Sequence, residues 1–196
     1  MPQNEYYIIE RDDNDNYPLF AWDEPSGNFG LGRPIEIQGA VRLCLREPIS
    51  PNFEWADFHK LPAPVFSQRI ANMLTQMDIY GVQLVPAKVR NTKEAPSVEP
   101  HDYWFMHVWN RISCLDKELS KLDIGKKGRI WGIKKLVLDD EKLEQIELPE
   151  RLIFNVAEST RILLIHESIK EAIMSVNPAG CRFFRVSEWN DDATFS

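Results

Sequence analysis

The chain has 196 residues, 43% hydrophobic and 27% charged, with a formal net charge of −7. That length suits one domain, 1–196, or two small lobes split as 1–100 and 101–196, and the composition excludes a disordered chain. The acidic balance argues against general binding to nucleic acid or to anionic membranes, which want a basic surface. Cys44, Cys114 and Cys181 are isolated, with no CxxC spacing. They read as reduced thiols, not as a zinc site or a disulfide framework. The stretch MPQNEYYIIERDDND has neither the basic nor the apolar region of a signal peptide. The longest purely aliphatic run, Ile162 to Ile165, is too short to span a bilayer. The expectation is a cytoplasmic protein that neither crosses nor binds a membrane.

In chain order, Tyr6 to Ile9 reads as a first strand, ended by the acidic turn Asp12-Asp13-Asn14-Asp15. From Tyr17 to Pro64 the chain is rich in Pro, Gly and aromatics, with one or two short strands expected within Ile35 to Leu45. Trp22, Phe29, Trp55 and Phe58 read as loop aromatics folded over the core, with an exposed binding surface as the other reading. Phe66 to Met77 is the first clear helix. Ser67 stands at its start, and Ile70, Met73, Leu74 and Met77 form one apolar stripe. Val82 to Val85 is a strand broken or edged at Pro86, with a resumption to Val89 as the other reading, and Asn91 to Pro100 is a polar loop.

The stretch from His101 alternates like a strand buried on both faces. Tyr103, Phe105, His107 and Trp109 would share one side, and Trp104, Met106, Val108 and Asn110 the other. Trp104 and Trp109 are expected in the core. A short helix is expected at Asp116 to Leu122, a turn at Lys126-Lys127-Gly128, and strands at Lys134 to Leu138, Leu152 to Val156 and Ile162 to Ile165. A second clear helix covers about His166 to Val176, with the stripe Ile169, Ala172, Ile173 and Val176. Ser168 and Glu171 match a capping box if that helix starts late. Cys181 to Val186 is the last strand, and Asn190 to Ser196 is expected to fray. Shifting the first helix by 99 positions lays Ile70 on Ile169, Leu74 on Ile173, Met77 on Val176 and Gly81 on Gly180. The favoured reading is two helix–glycine–strand units obeying the same physics, with both glycines at positive φ. The elements together predict an α+β fold: a mainly antiparallel or mixed sheet, two principal helices and long loops in the first third.

Chemistry is sparse. His107 reads as a hydrogen-bonded core histidine, and Cys114 as a small buried residue. Paired with Asp116 they would resemble a nucleophilic site only if ring and sulfur came within hydrogen-bond reach. Asp57-x-His59 lacks further ligands, so no metal is expected. Phe29-Gly30-Leu31-Gly32-Arg33-Pro34 has two of the three glycines of a dinucleotide fingerprint and reads as a loop, so no cofactor is expected. Charge is more patterned. Glu10, Asp12, Asp13 and Asp15 form one acidic block, and Asp139, Asp140, Glu141, Glu144, Glu147 and Glu150 a second. Between Lys117 and Lys135, seven Lys or Arg stand against Glu118 and Asp123. Such runs are either solvated faces or docking surfaces for oppositely charged partners.

An ordered series of short segments carries a resemblance. It includes Tyr6-Tyr7, Phe66-Ser67-Gln68-Arg69 before Gly81, and Leu84-Val85-Pro86-Ala87-Lys88-Val89. It continues through Tyr103-Trp104, Cys114-Leu115-Asp116 and Ser120, then Lys135-Leu136-Val137-Leu138, Ile153-Phe154, and the closing helix with Gly180 and Phe183. In these the chain resembles family eleven of the bacterial polymorphic-toxin immunity proteins, over nearly its whole length. The resemblance implies protection of a bacterial cell by stoichiometric binding of a cognate toxin protein, with no catalytic motif; the acidic balance already argues against a nucleic-acid partner. Many toxin domains attack nucleic acids and present basic surfaces. Asp12, Asp13, Asp15, Asp139, Asp140 and Glu141 are therefore the expected partner-binding residues, with the Lys117 to Lys135 stretch as the alternative face. The competing functions are a small enzyme using Cys114 and His107, and a regulatory or scaffold module.

Overall fold

The structure, a computed structural model, describes residues 2–26, 29–95 and 98–192. In chain order its strands are β1 (Tyr6–Arg11), β2 (Phe20–Trp22), β3 (Val41–Leu45), β4 (Phe58–His59), β5 (Val65–Phe66), β6 (Val82–Arg90) and β7 (His101–Val108). Then come β8 (Arg111–Ile112), β9 (Lys121–Ile124), β10 (Ile130–Lys135), β11 (Ile153–Val156), β12 (Leu163–His166) and β13 (Cys181–Arg185). The α-helices are α1 (Gln68–Thr75), α2 (Asp140–Glu144) and α3 (Glu167–Ser175). One sheet has the order β13-β1-β12-β11-β8, a second β2-β3-β6-β7-β5-β4, and β9 and β10 form a separate two-stranded ribbon. The pairs β3–β6 and β8–β11 are parallel within otherwise antiparallel sheets. This is the expected α+β class with mixed sheets.

Strand β7 buries both faces, as its alternation predicts. Tyr103 and Phe105 enter a cluster with Phe20, Val41, Leu43 and Val85. Met106 and Val108 enter another with Ile9, Ile70, Leu74, Ile165, Ile169 and Ile173. The second cluster draws on both sheets and on both long helices, so it is the joint of the molecule. Each large apolar side chain buried there contributes about 1.5–3 kcal/mol. A third cluster, around Tyr6, Cys114, Leu136, Leu143 and Phe154, lies under the first sheet and the ribbon. The predicted stripes hold: Ile70 and Leu74 of α1 and Ile169 and Ile173 of α3 are buried together. Gly81 and Gly180 have φ of +74° and +86°. Each also admits a close neighbour, since a Cβ would fall 2.2 Å from Asn110 Cβ at Gly81 and 2.5 Å from Ala56 Cβ at Gly180.

Several local expectations change. Ser67 occupies the N-cap of α1, but its hydroxyl donates to Asp57 Oδ1 at 2.6 Å instead of capping. Helix α3 starts at Glu167, so its cap is His166, whose Nδ1 accepts from the Ser168 amide; the late capping box does not form. Strand β6 runs unbroken through Pro86, which precedes Ala87, the first residue with a register partner on β3. Trp22 and Phe58 lie in the short strands β2 and β4, not in loops, and Trp55 stacks on His101 with ring centroids 4.2 Å apart. Trp104 and Trp109 are only half-buried. The Trp104 indole donates to Gln68 Oε1, and Trp109 meets Tyr80 edge-on. No helix forms at Asp116 to Leu122. Asp116 Oδ1 accepts the amides of Glu118 and Leu119 in a turn, and the chain then enters β9. The following strand is Ile130–Lys135, and Leu138 keeps only a bridge to Leu115. The fraying expected at the end of the chain falls partly on residues 193–196, outside the described residues.

Candidate functional site

The two acidic blocks stand at opposite ends of β1. Arg11 organises the first: its guanidinium donates to the carbonyls of Asn14 and Tyr17, and the Asp12 amide donates to the Gly180 carbonyl. Asp13 and Asp15 are exposed on this turn and Asp12 is half-buried. At the other end, Asp139 caps α2 by accepting the Lys142 amide at 3.1 Å, and its other oxygen meets Lys142 Nζ at 2.9 Å. Hydrogen bonds from Lys142, on side chain and backbone, hold the Asp139 carboxyl below its ordinary range. Asp140 Oδ1 accepts the Gln3 amide at 2.6 Å, while Gln3 Oε1 accepts the Leu138 amide at 2.7 Å. Glu141 is exposed. Six strand residues separate the blocks, about 20 Å at a strand's rise per residue, so they do not form one compact face. Asp140 thereby holds the N-terminal segment down, and Asp139 is spent on the cap of α2. The clue to this was in the sequence: Leu138 and Leu143 flank Asp139 as a hydrophobic staple, and both are buried.

The residues of the enzyme reading lie in different parts of the fold. His107 belongs to the six-stranded sheet, is buried, and sets Nε2 2.8 Å from the Arg33 carbonyl. The chain then crosses to the other sheet at β8, and Cys114 packs in the cluster beneath it. Burial pushes the Cys114 thiol up to about 12, away from the thiolate that a nucleophile needs. Asp57 and His59 are buried but turn to different partners. Burial alone would raise the Asp57 carboxyl. Hydrogen bonds from Arg69, Ser67 and the Ala179 amide outweigh it and hold the group at about 2. Burial pushes His59 down to about 3, and its two ring nitrogens face the Pro18 carbonyl and the Tyr103 hydroxyl. Among the described residues, no group of three or more His, Cys, Asp or Glu side chains is arranged to hold a metal ion. In the Gly30 to Pro34 segment, the Gly30 carbonyl accepts from Arg111 at 2.7 Å, and Phe29 stacks on Trp22.

Two features escaped the sequence. A cavity of about 480 Å³ lies between the sheets, lined in part by Ile9, Phe58, Met106, Leu163 and Trp189. On its wall Glu10, only 1% exposed, accepts from Lys60 at 2.5 Å and from the Trp189 indole at 3.0 Å. Beside it, Arg161 holds Asp191 through two hydrogen bonds of 2.6 and 2.9 Å. These charges answer one another. The other feature is the β9–β10 ribbon. It carries Trp131 at 67% exposure, next to the basic side chains singled out between Lys117 and Lys135. Among the described residues, no helix is long and apolar enough to cross a membrane. A search of curated proteins finds no match for the chain. The model of one family, described as Immunity protein family (Imm11), matches residues 4–188. That span takes in every strand and α-helix described above, and the chain belongs to the Imm11 family of immunity proteins.

Proposed function

We propose that this chain is a cytoplasmic immunity protein that acts as one domain over residues 1–196. It neutralises a cognate bacterial toxin domain by stoichiometric binding, with no chemical step of its own. The family match over residues 4–188 carries this reading. The shared cluster between the sheets supports a single domain, since β7 pairs along its length with β6 and joins both halves of the sequence. The buried Cys114 thiol and its separation from His107 by a change of sheet support binding over catalysis. In this reading Asp12, Asp13, Asp15, Asp139, Asp140 and Glu141 give β1 two acidic ends that steer a basic toxin surface toward the protein.

The function is tested by co-expressing the toxin domain with the double variant Cys114→Ser and His107→Gln. Cells are expected to survive as with the unaltered chain. Cell death alongside a soluble, folded double variant would point to an enzyme instead. The steering role is read in association kinetics. Neutralising Asp12, Asp13 and Asp15, or Asp139, Asp140 and Glu141, should slow association at low salt. The difference should shrink as exposed charges are screened within about 8–10 Å at physiological ionic strength. On-rates that ignore both salt and substitutions would reduce the acidic ends to solvated surface.

A further inference from the structure

Charge and exposed apolar surface coincide in one place. The 117–135 segment has seven Lys or Arg against two acids, a net +5, which leaves −12 on the remainder of the chain. The three most exposed large apolar side chains among the described residues are also there: Trp131 at 67%, Leu119 at 61% and Ile124 at 60%. The ribbon is anchored, because Ile133 is buried in the cluster under the first sheet and Leu122 and Ile130 pack against it. Its tip is closed by the Gly125 amide, which donates to the Arg129 carbonyl at 2.8 Å.

Trp131 is held in position although it faces solvent. A Cβ on Gly125 would fall 1.6 Å from the indole Nε1, so the ring lies against bare glycine backbone. The Arg129 guanidinium sits 5.4 Å from the ring centroid, a cation–π contact. An aromatic fixed between a glycine and an arginine gives up little freedom when a partner covers it. Trp and Arg are also the residues that dominate binding energy at protein interfaces.

We propose that the ribbon tip is the anchoring contact with the toxin, which rests on the toxin-binding function proposed above. Trp131 enters an apolar recess on the toxin, and Lys126, Lys127 and Arg129 meet carboxylates on the rim of that recess. A protein with such an acidic rim fits better than the alternatives. Single-stranded nucleic acid also takes stacked aromatics beside lysines, but a chain of net −7 repels a phosphate backbone. The same net charge works against two copies associating. The acidic ends of β1 then act on the rate of encounter, and the ribbon on the lifetime of the complex.

The probe is an inactivated form of any toxin-like domain found in the genes flanking this chain's own, with binding to the full chain followed in real time. Trp131→Ala is expected to raise the dissociation rate about tenfold or more and to leave association within about twofold. Gly125→Ala, which keeps the indole but displaces it, should also shorten the complex lifetime. Trp131→Phe should retain most of it. Thermal midpoints of the two Trp131 variants should match that of the unaltered chain, because that side chain is exposed. If Trp131→Ala dissociates as slowly as the unaltered chain, the ribbon is not the anchor, although toxin binding stands. If the unaltered chain does not bind the toxin domain, both the toxin reading and this contact fail. Sedimentation that shows a dimer dissolved by Trp131→Ala would assign the tip to a second copy of the chain. Binding of a 20-nucleotide single strand that is lost in the same variant would assign it to nucleic acid.

Discussion

Glu10 and Asp57 sit inside the protein, at 1% and 9% exposure, whereas Lys126, Lys127 and Arg129 stand in water at the tip of a ribbon. Each interior carboxylate collects partners from distant parts of the chain. Glu10 on β1 joins Lys60 to Trp189, and Asp57 joins Ser67 and Arg69 to the Ala179 amide. They tie the loop-rich first third to the last strand's surroundings. Among the described residues the ribbon cations make no comparable long-range tie; the ion pair Lys134 to Asp123 stays within the ribbon. Glu10 and Asp57, enclosed by these partners, present no charge to a binding partner, whereas the exposed ribbon cations do.

Substitutions can break this contrast. The largest effect is expected from Glu10→Ala, which leaves the Lys60 ammonium and the Trp189 indole N–H without their acceptor. Removing one member of a buried pair costs about 3–5 kcal/mol. Lys60 is 31% exposed on its side chain and can turn to water, so the lower end is expected. Denaturant unfolding should show a lower midpoint at unchanged slope. A loss under about 1 kcal/mol would mean that Glu10 is no staple.

Asp57 sharpens the contrast through pH. Its carboxyl is held at about 2 against an ordinary 3.8. A depressed folded value stabilises the protein above the unfolded value, and the gain is lost as pH falls from about 4 through about 2. The difference corresponds to about 2 kcal/mol. Asp57→Asn should lose that amount near neutral pH and flatten the acid limb of stability against pH. An unchanged acid limb would show that other carboxylates govern it.

The smallest effect is expected at the ribbon. Trp131→Ala should shift stability by no more than about 0.5 kcal/mol, as exposed positions do. A loss of several kcal/mol would turn the indole into a structural residue and undo the contrast from the other side.

Regular periodicity made the core of the fold legible. Ile70 and Leu74, and Ile169 and Ile173, repeat at helical spacing, and Tyr103 to Val108 is mostly apolar on both strand faces, so α1, α3 and β7 can be read directly. The ribbon is hard to read because the alternation Lys121-Leu122-Asp123-Ile124 lasts only four residues and Gly125, Gly128 and Gly132 follow closely. Its strands form because Leu122, Ile130 and Ile133 reach a core built elsewhere. Trp22 and Phe58 look like loop aromatics in sequence because β2 and β4 are three and two residues long and exist only through pairing. In the candidate site, Asp13, Asp15 and Glu141 lie on the surface as read. Asp139 and Asp140 look like a surface block in sequence, but a cap and a surface acid are the same letter until the helix that follows is recognised. At five residues, α2 was too short to show its stripe. The Glu10 staple spans 179 positions to Trp189, a distance over which no local pattern speaks.

The placement of β1 between β12 and β13 has a temporal consequence. Tyr7 pairs with Ile165 on one side and with Arg185 on the other, so the first strand waits for nearly the last ones. This is high contact order, which slows folding. Chains are synthesised at about 5–20 residues per second, so β1 spends on the order of ten seconds or more with both edges unpaired. A binder that needs its folded surface contributes nothing while its chain is still being made. On the function proposed above, resistance to a toxin comes from the stock of finished molecules and lags behind any burst of new synthesis.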